Sequence, residues 1–271
     1  MTDPVGNKIN EFMSKLSVYG REDGMSNVNV PGSAELPDEV KIHLEDVMGE
    51  EPSLVWLEGP TRPSHNSEIT FEGYSIWDQI DNTGHRTIYF SARHKYHLSN
   101  DHWENLGAPR IPQYTGIVIM LYSLVYQTFQ QMDCDHQTNV FEEFNLEQLD
   151  GSLASVSYAL KVLEGCIKYI DGPILWIIDG VDMVDIPTTR HYLDELYNIF
   201  EVFERKNSHQ LLFTTNGTCG FLKELAEASP TNPSRVKGNH PGLWFENRYC
   251  VCTLPRLKRR DDASSIRDDS G

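Results

Sequence analysis

The chain contains five short apolar runs, over residues 53–59, 86–92, 173–179, 210–215 and 248–254, separated by longer stretches of helical periodicity. Runs such as Leu54-Val-Trp-Leu and Ile174-Leu-Trp-Ile-Ile are apolar on both alternating faces, as a strand must be when layers cover it on each side. Large apolar residues recur at three- and four-residue spacing over about 67–82, 112–132, 152–170, 189–206 and 219–228, which predicts helices between the strands. Strand alternating with helix implies a three-layer α/β/α sandwich around a mainly parallel sheet of about five strands. The chain has 271 residues, 39% of them hydrophobic, which is enough for such a core.

Leu36, Val40, Leu44 and Val47 form one face of an amphipathic helix that ends near Gly49 and opens a domain spanning 35–254. Before it, residues 1–34 read as a flexible arm in which Ile9, Phe12, Met13 and Leu16 have the spacing of one docking helix. Residues 133–150 carry six acids without a Lys or Arg and read as a solvated connection between helices. Residues 255–271 have charge without periodic hydrophobics and read as a disordered tail. Its basic cluster, Arg256-Leu-Lys-Arg-Arg260, also suits a nuclear-localisation signal.

The formal net charge of −17 repels phosphate backbones and anionic bilayers, which argues against nucleic-acid or lipid-surface binding. The greasiest segment, residues 116–126, runs into Gln127, Gln130 and Gln131, too short for a membrane span. The first residues lack a basic, then apolar, leader, and the five cysteines show no CxxC pair. Both features predict a reducing, cytoplasmic address, with the nucleus as the other option.

In an open parallel sheet, ligands sit at the carboxyl ends of the strands. After the first strand comes Gly59-Pro-Thr-Arg-Pro-Ser-His-Asn-Ser67, where a phosphate-binding GxxxxGK[ST] loop would lie. Gly59 fills the first glycine of that template, but Ser64, His65 and Asn66 replace the second glycine, the Lys and the hydroxyl residue. After the third strand comes Asp179-Gly-Val-Asp182, an acid presented at a strand end as Mg²⁺ sites require.

These residues in this order resemble the signal-transducing P-loop NTPases of the NACHT and related STAND type, in their degenerate fungal form. The resemblance covers about residues 36–254. Leu54–Gly59 resembles the family's first strand, Tyr89-Phe-Ser91 its second, and Ile111-Pro-Gln-Tyr-Thr with Leu121, Leu124 and Tyr126-Gln127 the helix that follows. Leu175–Asp179 and the Gly-Val-Asp182 after it are similar to the acidic Walker B strand, and Leu211-Leu-Phe-Thr-Thr-Asn216 to the strand that senses the terminal phosphate. The resemblance implies Asp179 as the Mg²⁺ ligand and Asp182 as the second acid of that turn, with Met183 where the family commonly has another acid. It implies ATP or GTP contacts from Gly59, Arg62, Ser64, His65, Asn66, Thr215 and Asn216.

Thr214, Thr215 and Asn216 can donate hydrogen bonds to an anion but bring no positive charge to balance a triphosphate. Either Arg62 swings inward in place of the missing Lys, or the loop is a remnant, stiffened by Pro60 and Pro63, each of which removes an N–H donor. The remnant is the expectation. It makes the chain a regulatory or signalling module, at most weakly nucleotide-binding, that works through protein partners or self-association. The alternative is a slow Mg²⁺-dependent ATPase or GTPase using Asp179 for the metal and Asp182 for water.

Two other constellations stand outside that scheme. His94, His97 and His102, with Asp101, form the densest histidine cluster, a weak candidate for Zn²⁺ or a metal-dependent hydrolase and more simply a polar loop. Cys250 and Cys252 lie two apart on one strand and face the same way, which predicts packing. No G-x-S-x-G elbow or cysteine-nucleophile signature supports hydrolase chemistry. Trp103 and Trp244, beside polar and Gly-Pro segments, are candidate exposed contacts.

Overall fold

A computed structural model describes residues 4–19, 36–49, 53–61, 69–70, 73–76, 85–92, 112–207, 209–228, 243–245 and 249–255. The described elements are α1 (Pro4–Leu16), α2 (Asp38–Gly49), β1 (Leu54–Gly59), β2 (Thr87–Ser91), α3 (Pro112–Gln130), α4 (Cys134–Glu143) and α5 (Val156–Lys168). They continue with β3 (Leu175–Asp179), α6 (Arg190–Asn207), β4 (Gln210–Asn216), α7 (Gly220–Ala228), β5 (Leu243–Phe245) and β6 (Tyr249–Thr253).

The strands form a six-stranded sheet in the order β2-β3-β4-β1-β6-β5. β2, β3, β4 and β1 are parallel, whereas β6 runs antiparallel to β1 and β5 antiparallel to β6. The expected α/β sandwich with a mostly parallel sheet is therefore present, with one strand more than the apolar runs indicate. That strand, β5, has three residues, below the length at which periodicity speaks.

Alternation along the strands sorts the core into two layers. Trp56, Ile88, Phe90, Trp176, Ile178, Leu211 and Phe213 join one cluster with α1, α3, α5, α6 and α7. Val55, Leu57, Tyr89, Leu175, Ile177 and Leu212 join Leu36, Val40 and Leu44 of α2, with Ile69, Tyr74 and Ile76, on the other face. The N-terminal helix belongs to the first layer: Ile9, Phe12, Leu16 and Tyr19 are buried, and the Phe12 ring meets Phe129 edge-on at 5.6 Å. Residues 4–19 are thus part of the folded unit and not of a separate arm.

The acidic connection is also more ordered than its charge suggests. Asp133 caps α4, accepting from the His136 N–H at 2.8 Å, and Val140 is buried beneath it. At the open edge of the sheet, the Gln127 side chain takes the place of a neighbouring strand. Its Nε2 donates to the Tyr89 carbonyl at 2.7 Å and its Oε1 accepts from the Tyr89 N–H at 3.2 Å. A buried edge strand thereby keeps both backbone groups paired. No helix among the described residues is long and apolar enough to cross a membrane.

At the lower end of the sheet, His209 Nδ1 accepts the Ile174 N–H at 3.1 Å, which fixes the proton on Nε2. Nε2 is buried without an acceptor among the described residues, and burial pushes the imidazole pKa down to about 4 from the ordinary 6.5. The unfolded chain therefore binds this proton below about pH 6.5 while the folded chain refuses it until about pH 4. Stability from this site falls as pH drops through that window, by on the order of 2–3 kcal/mol in all. His209→Asn, which keeps an acceptor for the Ile174 N–H, is expected to flatten the curve of unfolding free energy against pH between 6.5 and 4, measured by urea denaturation beside the parent chain.

Candidate functional site

The chain leaves β1 for the α2 side, where Ile69, Tyr74 and Ile76 pack, and leaves β4 for the opposite side, where α7 buries Phe221 and Leu222. The carboxyl ends of β1 and β4 are therefore the switch point of this sheet, the usual place for a crevice. Register puts Gly59 beside Asn216, Glu58 beside Thr215, and Asp179 between Ser91 and Thr214.

Asp179 is fully buried, with 0% of its surface exposed. A carboxylate there needs strong partners, and the adjacent strands supply them. The Ser91 hydroxyl donates to Oδ2 at 2.7 Å and the Thr214 hydroxyl donates to Oδ1 at 2.6 Å. The next residue, Gly180, has φ +82° and gives its N–H to the Thr214 carbonyl at 2.9 Å, so the chain turns sharply off the strand. It enters a 3-10 turn, Val181–Met183, that carries Asp182 half-buried. Asp182 is close enough to Cys219, in the α6–α7 layer, for its charge to act on that thiol. Asp179, by strand alternation, faces the α2 layer with Ile177. The two acids of the Asp-Gly-x-Asp turn thus serve different sides of the sheet.

Alternation divides the β4 end in the same way. Thr214 and Asn216 share the side of Asp179, and Thr215 faces the other. The Thr215 hydroxyl accepts from Trp56 Nε1 at 2.9 Å and donates to the Gly217 carbonyl at 2.8 Å. Those bonds use it in holding the β4 turn. Asn216 is 7% exposed, and its amide Nδ2 and Oδ1 have no hydrogen-bond partner among the described residues. Gly59 is pressed by a side chain: a Cβ built there would lie 1.8 Å from Ile69 Cδ1 and 2.8 Å from Ile69 Cγ1. The glycine at the end of β1 is thereby explained by the close approach of Ile69.

Ser91, Glu58 and Asp185, to which the motifs give no role, also shape this end of the sheet, and Thr214 serves the acid where the sequence suggests an anion donor. Ser91 and Thr214 hold Asp179, each directly after three apolar residues of its strand. Buried Glu58 accepts from the Thr218 hydroxyl at 2.8 Å. Asp185, with its side chain 4% exposed, pairs with Arg190 Nε at 2.6 Å and accepts the Phe221 N–H at 2.8 Å. It thereby ties the starts of α6 and α7 together, and Arg190 reaches on to Glu224 at 3.0 Å. Burial and then the Asp185 carboxylate push the Cys219 thiol well above its ordinary pKa, which leaves it unreactive.

Arg62, Ser64, His65 and Asn66 lie outside the described residues, as do Trp103 and the cluster of His94, His97 and His102. Among the described residues no group of three or more His, Cys, Asp or Glu is gathered for a metal ion. Cys250 and Cys252 are buried with their sulfurs 3.5 Å apart, within the core beside Trp56. Comparison with protein-family models, with curated proteins and with solved structures finds no match to the chain.

If Gly59 is there for Ile69, adding a methyl group must crowd that contact. Gly59→Ala is expected to destabilise the fold by about 1–3 kcal/mol. In an Ile69→Ala background the same change should cost less than half as much, because the opposing atoms are gone. A thermal and urea double-mutant cycle reads this directly, and full additivity would assign Gly59 to something other than packing.

Proposed function

We propose that this chain is a regulatory module of P-loop NTPase ancestry that works through protein contacts, with the former nucleotide site reduced to a packed part of the core. The observation that carries the reading is Ile69 seated on Gly59. In a working loop that glycine opens a cradle of backbone N–H groups for the phosphates, and here a side chain fills the space over it. The state of Asp179 supports the same reading. A Mg²⁺ ligand needs an oxygen open to the ion, and this carboxylate has no exposed surface, with one lone pair of each oxygen already taken by a hydroxyl. Thr215, a candidate donor to an anion, is engaged with Trp56 and Gly217.

One observation favours a second reading. The amide of Asn216 lies buried and without a partner among the described residues at the switch point, and a polar ligand there would satisfy it. Weak residual binding of ATP or GTP, with Asp179 for the metal and Asp182 for water, would use that amide as a phosphate donor.

Calorimetric titration of ATP and GTP, with and without Mg²⁺, into protein checked for carried-over nucleotide decides between them. The expected result is no heat of binding up to about millimolar nucleotide, near −4 kcal/mol. His65→Lys combined with Asn66→Thr should leave that result unchanged, since Ser64, Pro60 and Pro63 still deny the loop its glycine and N–H donors. Mg²⁺-dependent binding at micromolar or tighter by the parent chain would overturn the proposal and make turnover, with its loss in Asp179→Asn, the next measurement.

A further inference from the structure

On the outer side of the helical layer, α1 and the α4 end with its following turn enclose an open groove of about 840 Å³. Its floor is apolar: Phe12 and Leu16 come from α1, and Phe144, Leu146 and Leu149 from the segment after α4. Its rim is charged unevenly. Lys15 is held by Glu11 within α1 at 2.9 Å, which leaves Lys8 facing Glu142, Glu143 and Glu147. All three glutamates are exposed, so their charge is available to a visitor. An apolar floor under a net negative rim fits a short segment with basic residues around one aliphatic side chain.

The chain itself carries such a segment. Arg256-Leu-Lys-Arg-Arg260 places four cations about Leu257 in a molecule whose net charge is otherwise strongly negative. Its attachment point sets its reach toward the groove of another copy rather than that of its own chain. Pro255 is tied to α6, where its carbonyl accepts the Tyr197 hydroxyl at 2.6 Å. α6 packs on α5 and α5 on α4, so the groove wall stands two helix spacings away, roughly 16–20 Å. Five fully extended residues span at most about 17 Å.

The geometry points to self-association, in which residues 256–260 of one copy occupy the groove between α1 and α4 of another. The inference rests on the reading of this chain as a protein-contact module and names the contact. A groove and a tail on different parts of the surface make a heterologous contact, which closes into a pair if two tails exchange and otherwise extends head to tail.

Light scattering and sedimentation of the full chain test this across micromolar concentrations at low and high salt. Mass is expected to rise with concentration at low salt, and association to weaken about tenfold or more at high salt, as charge-driven contacts do. Lys258→Glu with Arg259→Glu and Arg260→Glu should abolish association, as should Glu142→Lys with Glu147→Lys. Both sets in one chain should restore it, an outcome that misfolding cannot mimic. A chain that stays monomeric at every concentration, or association untouched by reversing the tail, overturns the inference. Neither result bears on nucleotide titration, so this surface and the wider reading fail separately.

Discussion

A carboxylate with no exposure to water sits at the carboxyl end of the parallel sheet, and the neighbouring strands are arranged to hold it. Burying the charge of Asp179 without partners would cost several kcal/mol, more than a marginally stable domain can absorb. Ser91 and Thr214 meet that need from β2 and β4, one hydroxyl to each oxygen. They reach it only when Ser91, Asp179 and Thr214 stand in one row, so the acid enforces the register of three strands at once. The positive φ of Gly180 and its bond to the Thr214 carbonyl then set where the chain leaves the sheet. What lies beyond, from Asp182 to the tie between Asp185 and Arg190, inherits its position from that exit.

The same row limits what this end of the sheet can do. Switching between two conformations requires a ligand or partner that binds them differently, and the element that moves must give up few contacts. Freeing Asp179 means breaking two charge-assisted hydrogen bonds in a region closed to solvent. Opening the end of β1 means lifting Ile69 from Gly59. An end so held is suited to fixing the sheet, and any signalling by this chain is carried more economically by its helical layers, where exposed charges sit on α1 and α4.

How much of this was legible in the amino-acid order depends on how each residue is used. The strands β1 to β4 announce themselves because sheets covered on both sides are apolar without interruption, and α3 and α5 to α7 because their periodicity is long. α4 was hidden: it buries Val140 with only partial cover for Phe141 and Phe144, so its acids speak for a loop. The direction of β6 was also hidden, since pairing sense leaves no mark on a five-residue run. In the site, Asp179 was marked by its place at a strand end and Thr214 as a donor to an anion, but neither Ser91 nor Thr214 was marked as its partner, because a hydroxyl after three apolar residues is ordinary. Period-two alternation already separates Thr215 from Thr214 and Asn216, and that signal was available. For Gly59, no sequence rule distinguishes a glycine that admits a phosphate from one that admits an isoleucine side chain.

Charge distribution gives the surface its remaining logic. A molecule with a net charge of −17 repels its own copies at long range, which favours solubility over assembly. Contact between copies therefore needs a local reversal of sign, and Arg256 to Arg260 supply the densest one in the chain. The acids from Asp133 to Asp150 lie opposite in sign, on an ordered helix and turn that rest against α1 and α5. Because α4 is fixed by its Asp133 cap and by Val140 beneath it, those acids hold their places before any partner arrives. A preformed acidic rim lowers the ordering cost of contact on one side only, leaving it to the incoming segment. The stable sheet, pinned through Asp179, and the charged outer helices are in this sense separate parts: one supplies rigidity, and the other meets partners.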